Sequence, residues 1–284
     1  MIEIPESNTI VRQLNETIKV KKIVEVITNH SPHKFAFFYE DPKDYSDLLK
    51  GKIVTEANSY GGQVVIIVKT ENAKTDNEEV LISLSDDAQI RYITKDEDIP
   101  EKHQLLITFE DSSSLVVSAR MYAQLHVANV NDYDSEYYKV AREKPSPLSD
   151  DFDMKYFNSL LDDVRPTTSV KAFLATKQRI PGLGNGTLHD ILFNAKIHPK
   201  AKVKKLSSKQ KEDLFNSVKN ILKTMAEKGG RNTERDLFGN FGRYEVILSP
   251  KTFKNPCYCG EKINKEAYLG GTIYYCPNCQ KLDS

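Results

Sequence analysis

Residues 180–199, with the sequence IPGLGNGTLHDILFNAKIHP, place a glycine-rich segment between two helical patterns. Glycine lets the backbone come close to a ligand, and the amides at the start of the following helix can bind an anion. An ordinary turn between two helices would use the same residues. A run of lysines favours the phosphate-binding turn. These are Lys196, Lys200, Lys202, Lys204 and Lys205.

The segments on both sides of this turn predict a helical domain. Apolar residues recur at helical spacing over residues 152–161, 170–174 and 206–225. Residues 141–150 hold two prolines and no apolar periodicity, which is typical of a linker. We therefore expect a linker over residues 141–150 and a helical domain over residues 151–244.

The first 140 residues show a different pattern. Pro5 precedes three apolar residues at four-residue spacing, which predicts one amphipathic helix. From about Val20 to Val130, short β-branched runs alternate with polar turns, as in a sandwich or barrel. We expect a β-sandwich domain with a leading helix over residues 1–140, so the chain as a whole is an α+β multidomain protein.

All four cysteines lie close together near the end of the chain. Cys257 and Cys259 form one pair, and 16 residues separate them from the second pair, Cys276 and Cys279. Two such pairs can bring four thiolates to one tetrahedral zinc ion across a β-hairpin, and a site filled by sulfur is structural rather than catalytic. The sequence predicts a zinc finger over residues 245–284, with a first pair one residue closer than the usual C-x-x-C.

The chain has no net charge, but its two halves differ. Residues 1–150 carry −9, from 17 Lys and Arg against 26 Asp and Glu, and residues 151–284 carry +9, from 23 against 14. A basic half suits a phosphate-binding domain, although chance clustering of solvated charge gives the same split.

The composition also bears on location. No stretch approaches the roughly 20 apolar residues of a membrane helix, and no signal-peptide pattern opens the sequence. We expect a cytoplasmic protein, associated with the nucleoid if its source is bacterial, with no membrane partner and no small-molecule cofactor.

Several motifs, taken in order, resemble the formamidopyrimidine-DNA glycosylase and endonuclease VIII family. They are PLSDDFD at 147–153, GLGN at 182–185, ILF at 191–193, IHP at 197–199, GG at 229–230 and YCPNCQ at 275–280. The match is specific over residues 145–284 and weaker over the first lobe, where EIPE at 3–6 and Thr9 still resemble the family's start. The resemblance implies a β-sandwich lobe, a helix-two-turns-helix lobe and a zinc finger, with duplex DNA, damaged or distorted, held in the cleft between the lobes.

The resemblance also implies roles for single residues. Lys171 and Asn185, with Gly184 beside them, match phosphate-contacting positions of the helical lobe. Arg120 and Tyr122 fall where the family inserts an arginine and an aromatic residue into the space left by a flipped base. A solvent-exposed pair on an edge strand would have the same sequence.

Three departures predict that the family's usual chemistry is impaired. Family members attack the sugar with the amine of an N-terminal proline, and this chain has Ile2 there. Removal of Met1 before isoleucine is not expected, so the amine of Met1 is one residue out of register. Gln63 replaces the family's first-lobe lysine, and the hairpin tip at residues 270–272 lacks the family's arginine.

Glu3 and Glu6 match the family's proton-transferring carboxylate and its supporting neighbour, so a general acid/base survives without its nucleophile. Acidic residues at a helix start are also explained by the helix dipole alone.

Three functions remain open. The first is a DNA-binding protein related to base-excision-repair glycosylases, without the usual excision chemistry. The second is an active glycosylase and AP lyase that uses the α-amine of Met1 or a lysine such as Lys34, with Glu3 as general acid/base. The third is a zinc-finger scaffold for a protein partner, against which the lysine-rich tract argues.

Overall fold

The structure, a computed structural model, describes residues 1–71 and 79–282. Its elements form a first lobe rich in strands, a second lobe of helices and a terminal hairpin. The first lobe contains α1 (Ile4–Thr17), β1 (Ile23–Thr28), β2 (Ala36–Phe38), α2 (Tyr45–Leu49), β3 (Ile53–Tyr60), β4 (Gln63–Lys69), β5 (Val80–Ile93), β6 (Leu105–Phe109), β7 (Ser114–Asn129) and α3 (Glu136–Glu143). The second lobe contains α4 (Met154–Asp162), α5 (Val170–Ala175), α6 (Asn185–Asn194) and α7 (Ser208–Glu227), and the hairpin pairs β8 (Asn264–Tyr268) with β9 (Gly271–Tyr275).

Helix α1 lies between the two lobes. It begins with Glu3 as N-cap and Glu6 in a capping box, and Pro5 stands in its first turn, where a missing N–H costs nothing. Ile10 and Leu14 are buried in the core of the first lobe. The helix packs on β3 and β4 on one side and on α7 on the other. Residues at its start can therefore reach both lobes.

The first lobe is built around a long ribbon of β5 and β7. The sheet has the order β1-β6-β7-β5-β4-β3, and β2 pairs with β7 in parallel. β6 joins the ribbon at residues 114–117 and β4 joins it at residues 80–84, close to its opposite ends. Side chains from both ends share one core with α1, since burial of apolar surface is what holds such a lobe together.

The ribbon contains a bulge that matters for the site. Ala119 pairs with Ala88 and Ala123 pairs with Asp86, so three residues of β7 stand opposite the single residue Asp87. Asp86 takes the left-handed conformation, with φ of 62°. A bulge of this kind pushes the extra residues out of the sheet.

The second lobe has its own core, to which Phe157, Phe173 and Leu188 contribute. The helices begin at side-chain caps such as Ser169 for α5 and Ser207 for α7. Helix α3 crosses the predicted boundary at residues 140 and 141, because its buried face continues to Ala141. The hairpin docks on the end of α6 through a cluster that includes Phe193.

No helix within residues 1–71 and 79–282 is long and apolar enough to cross a membrane.

Candidate functional site

A pocket of about 690 Å³ lies where the two lobes and the hairpin meet. Its walls come from the N-terminus, the helical lobe and the hairpin. Among the lining residues are Met1, Glu3, Lys171, Gly184, Asn185, Glu234 and Thr272. The fold thus brings four of the predicted site residues together.

The carboxylate of Glu3 caps helix α6 from the other lobe. Its Oε2 accepts hydrogen bonds from the amides of Gly184 at 3.1 Å and Thr187 at 3.0 Å, and from the Thr187 hydroxyl at 2.7 Å. Its Oε1 accepts one from the amide of Gly186 at 2.8 Å. Only 2% of Glu3 is exposed, and a carboxylate at a helix N-terminus is favoured by the helix dipole.

This contact corrects one prediction. The amides at the start of α6, including that of Gly184, were expected to face a phosphate, but they bind an internal carboxylate instead. The glycines are required for that approach. A Cβ at Gly184 would lie 2.7 Å from Glu3 Oε1, and one at Gly186 would lie 1.4 Å from Nη1 of Arg231.

Arg231 joins Glu3 and Glu6 in a buried ion cluster. Its Nε and Nη2 donate to the two oxygens of Glu6 at 2.9 and 2.7 Å, and its Nη1 lies 3.4 Å from Glu3 Oε1. Nη2 also donates to the carbonyl of Met1 at 3.0 Å. Burial lowers the pKa of Arg231, but the charges of Glu3 and Glu6 outweigh it and raise that pKa above its usual range. Sequence reasoning missed Arg231, because no spacing links position 231 to positions 3 and 6.

The α-amine of Met1 reaches the pocket and is held by two carboxylates. It lies 2.8 Å from Asp87 Oδ1 and 3.0 Å from Glu234 Oε2. Arg120 shares both partners, with Nη2 2.6 Å from Glu234 and 3.5 Å from Asp87. The nitrogen of Ile2 is an ordinary amide that donates to a backbone carbonyl at 2.6 Å, and its side chain is buried in the core.

Asp87 and Glu234 were also missed by sequence reasoning. For Asp87 a signal existed, since two adjacent aspartates interrupt the apolar run of residues 80–93. Such an acidic pair within a strand pattern calls for a specific partner. Nothing in the sequence around Glu234 sets it apart from other surface glutamates.

The bulge in β7 carries Arg120, Met121 and Tyr122, all of them exposed. β7 is an interior strand between β6 and β5. β6 pairs with β7 only at residues 114–117 and β2 pairs with it only from Ala123, so Arg120 and Tyr122 lie in a stretch without a strand on that side and are exposed. Their exposure comes from the bulge, which lifts them out of the sheet.

Lys171 and Asn185 meet at the tip of the hairpin. Lys171 Nζ donates to the carbonyl of Tyr268, and a Cβ at Gly271 would lie 3.4 Å from that Nζ and 3.2 Å from Asn185 Nδ2. Burial lowers the pKa of Lys171, which is only 3% exposed, whereas Asn185 is exposed. The absence of a side chain at Gly271 lets the hairpin lie directly against this pair.

Gln63 lies away from the pocket. Its side chain is buried, accepts a hydrogen bond from the Ser83 hydroxyl at 3.2 Å and donates to the carbonyl of Tyr137 at 3.4 Å. The turn before it, Gly61-Gly62, packs against Gly182 of the helical lobe, where a Cβ would lie 2.1 Å from the Gly62 nitrogen. This turn is a second direct contact between the lobes.

The four cysteines converge at the base of the hairpin, with all Sγ atoms within 4.8 Å of one another. The Sγ atoms of Cys257 and Cys279 are 3.7 Å apart, and those of Cys259 and Cys276 are 3.6 Å apart. Zinc–sulfur bonds of about 2.3 Å in a tetrahedron put sulfur atoms about 3.8 Å apart. The arrangement fits a zinc site, and the short first pair does not prevent convergence.

Two family models match this chain. The formamidopyrimidine-DNA glycosylase N-terminal domain matches residues 1–125, and the formamidopyrimidine-DNA glycosylase H2TH domain matches residues 144–236. A formamidopyrimidine-DNA glycosylase of Prochlorococcus marinus (strain NATL1A) is 32% identical over 187 residues, which is 63% of this chain and 66% of the relative. The alignment with the protein of that name from strain NATL2A covers 60% of the relative. One from Mycoplasmopsis pulmonis is 27% identical over 289 residues, which is 99% of this chain and 98% of the relative.

Solved structures share the whole fold. A complex of Lactococcus lactis Fpg with DNA containing an abasic site has a TM-score of 0.79 at 22% identity, covering 98% of this chain and 99% of that one. A complex of wild-type Lactococcus lactis Fpg with DNA containing N7-benzyl-Fapy-dG has a TM-score of 0.81 at 21% identity and the same coverage. The predicted combination of strand-rich lobe, H2TH lobe and cysteine-bearing hairpin is confirmed. The chain belongs to the formamidopyrimidine-DNA glycosylase and endonuclease VIII family.

Proposed function

We propose that this protein binds damaged or distorted duplex DNA in the pocket between its lobes, and that the proline-dependent excision chemistry of the family is impaired in it. The observation that carries the proposal is the convergence of Lys171, Asn185 and the hairpin tip with the N-terminus at one pocket. The solved relatives hold DNA with an abasic site or an altered base. The basic half of the chain supplies the positive charge that a phosphate backbone needs.

Two features of the site support impaired excision. The nitrogen of Ile2 belongs to a peptide bond, and its lone pair is delocalised, so it cannot attack a sugar carbon. The oxygens of Glu3 accept hydrogen bonds from three backbone amides and one hydroxyl, with Arg231 beside them. This carboxylate is engaged as a helix cap, whereas a general acid/base needs an oxygen facing the reacting atoms.

Asn185→Ala tests the binding site, since Asn185 is exposed and lines the pocket. We expect about tenfold weaker binding to every duplex tested, because a hydrogen bond to a charged phosphate is lost. Band shifts at several salt concentrations measure it, and Asn216→Ala, an exposed asparagine on α7, is the control. Lys171→Gln should weaken binding as well, because it removes a positive charge from the wall of the pocket. Unchanged affinity in both pocket variants would refute the assignment.

A second candidate function is strand cleavage at abasic sites by the α-amine of Met1. The observation in its favour is that this amine, unlike the nitrogen of Ile2, is a primary amine at the pocket, close to Asp87 and Glu234. The neutral amine would add to the C1′ aldehyde of the opened sugar, and loss of water would give an imine. Loss of a C2′ proton would then expel the 3′ phosphate. Lys34 is a weaker nucleophile candidate, because it is not among the residues that line this pocket.

Borohydride reduction separates the two functions. With DNA containing an abasic site, a covalent adduct on the N-terminal peptide supports the Met1 amine. The adduct should vanish when two residues are added before Met1 and persist in Lys34→Arg. If the wild-type protein binds the DNA yet gives no adduct, the protein is a binder without lyase chemistry.

We further propose that the four cysteines hold a structural zinc ion. Four sulfur ligands leave no open position for a substrate, so the ion would stabilise the hairpin rather than take part in chemistry. Metal analysis of the purified protein should find one zinc per chain, and Cys276→Ser should abolish it. A metal-free protein with an ordered hairpin would contradict the assignment.

A further inference from the structure

An exposed aromatic cluster lies beside the bulge in β7. Phe37 is 46% exposed, Met121 58% and Tyr122 50%. The rings of Phe37 and Tyr122 are parallel within 4°, with centroids 6.3 Å apart, and the ring of Phe35 lies 4.7 Å from that of Tyr122. We call Phe35, Phe37, Met121 and Tyr122 the aromatic platform. Clustered exposed apolar side chains of this kind mark a binding surface.

The backbone explains why these side chains face outward together. The bulge lifts Met121 and Tyr122 out of the sheet. β2 pairs with β7 just after the bulge, with Ala36 opposite Ala123. Side chains alternate along a strand, so Phe35 and Phe37 share the outer side while Ala36 packs against the core. Two strands therefore build one continuous surface.

Cationic side chains lie on both sides of the platform, and the one on the bulge is paired with carboxylates. Lys34 Nζ lies 5.3 Å from the ring of Phe35, and Arg120, 44% exposed, precedes Met121 on the bulge. Arg120 also contacts Glu234 of the other lobe, so the platform adjoins the pocket where we place the DNA. Aromatic faces beside an exposed lysine suit nucleic acid, because bases stack on the rings while the ammonium of Lys34 can meet a phosphate.

We propose that the aromatic platform binds unpaired DNA bases, so that DNA with two or more consecutive unpaired nucleotides is preferred over fully paired DNA. The inference rests on the proposed DNA binding and names its substrate class. Phe37 and Tyr122 each expose a ring, which provides two stacking positions instead of the single one that a lone inserted aromatic residue would give. Stacking is tolerant of sequence, so the preference is for structure rather than for particular bases.

Phe37→Ala tests the platform, since Phe37 lies on a short strand and its ring is half exposed. The probes are a duplex with a two-nucleotide bubble that carries 2-aminopurine in the bubble, and the matching fully paired duplex. Wild-type protein should bind the bubble about tenfold more tightly and quench the 2-aminopurine, whose fluorescence falls on stacking. Phe37→Ala should lose about tenfold in affinity for the bubble and most of the quenching, with paired DNA unaffected.

Two further variants keep the outcome clear. Ile99→Ala removes an apolar side chain of the same 46% exposure outside the platform and should change nothing. Phe37→Leu keeps apolar bulk without a ring and should behave as Phe37→Ala, which excludes a purely folding effect.

Equal affinity of the wild-type protein for bubble and paired DNA overturns the platform but leaves duplex binding intact. Absence of binding to any duplex refutes the proposed function, and binding of single-stranded DNA through Phe37 in that case would preserve the platform alone.

Discussion

Arg231 is the counter-charge on which the start of α1 depends. Glu3 and Glu6 are both buried, and its guanidinium is within hydrogen-bonding distance of each. Removal of one partner from a buried ion cluster leaves charge without compensation. We expect Arg231→Met to lower the free energy of unfolding by about 3–5 kcal/mol, measured by denaturant titration.

A matched control exists on α1 itself. Arg12 pairs with Glu16 at 3.3 Å, and both side chains are exposed. Arg12→Met should cost no more than about 1 kcal/mol, as exposed pairs do. If both arginine variants were equally stable, the buried cluster would not hold the N-terminus in place.

His126 provides a pH-dependent contribution to stability. Burial lowers its pKa to about 4 from an ordinary 6.5, and its Nδ1 lies 2.7 Å from the Tyr133 hydroxyl. The unfolded chain therefore binds a proton at a higher pH than the folded chain does, so stability falls as pH drops from 6.5 to 4. Below pH 4 this contribution stays constant. One such group changes stability by at most about 1.4 kcal/mol per pH unit.

The variant His126→Phe should show a shallower loss of stability between pH 6.5 and 4, measured by urea unfolding at several pH values. Burial also lowers the pKa of His189 to about 4. The variant should therefore keep part of the dependence of stability on pH. Asp190 acts in the opposite sense, because burial raises its pKa to about 6 and its protonation below that pH favours the fold. Parallel curves for the variant and the wild-type protein would contradict a His126 that stays neutral in the folded protein.

At the scale of elements, the proposed zinc ion bears on the stability of the hairpin of β8 and β9. A two-stranded hairpin is marginally stable alone, and this one also makes contacts with the helical lobe. Gln280 donates to the carbonyl of Ile197 at 2.9 Å, and Tyr274 packs in a small cluster with Phe193. We expect metal removal to abolish protection from hydrogen exchange over residues 264–275 while α6 and α7 stay protected.

Metal removal should also change the reactivity of Lys171. The Tyr268 carbonyl of the hairpin accepts a hydrogen bond from the Lys171 ammonium. Loss of the hairpin would therefore increase the exposure of this ammonium to solvent. Reaction of Lys171 with an amine-specific reagent should then increase, whereas Lys139, already half exposed, serves as the unchanged reference. Persistent protection of the hairpin without metal would mean that docking alone holds it.

How far the sequence predicts these elements depends on the range of the interactions involved. The start of α1 and the cysteine pairs rest on residues close together in the chain, and both were predicted correctly. The bulge was not predicted, since it arises from the register between β5 and β7, whose paired residues lie tens of positions apart. The amides at α6 were assigned to a phosphate because their partner, Glu3, lies 181 residues away from Gly184. Local patterns thus gave the elements, whereas the contacts between lobes had to come from the structure.

At the scale of the whole molecule, the lobes are joined by contacts that centre on the first residues of the chain. Glu3 caps a helix of the second lobe, Glu6 binds Arg231, and the Gly61-Gly62 turn fits against Gly182. These contacts link the stability of each lobe to the other. They also fix the α-amine of Met1 at the pocket, because its carbonyl is bound by Arg231.

Glu3→Gln distinguishes a structural Glu3 from a catalytic one. The new amide group would point N–H donors at the backbone amides of Gly184 or Gly186, and Arg231 would lose one of its counter-charges. We expect a loss of about 2–4 kcal/mol in the free energy of unfolding. The two lobes should then unfold in separate transitions, the helical lobe first, whereas the wild-type lobes unfold together. Denaturant unfolding followed by both circular dichroism and tyrosine fluorescence measures this. Glu16→Gln, on the exposed side of α1, is the control and should unfold as the wild-type protein does. If Glu3→Gln were as stable as the control yet lost a borohydride-trapped adduct that the wild-type protein forms, Glu3 would be a proton-transferring group, and the second candidate function would replace the first.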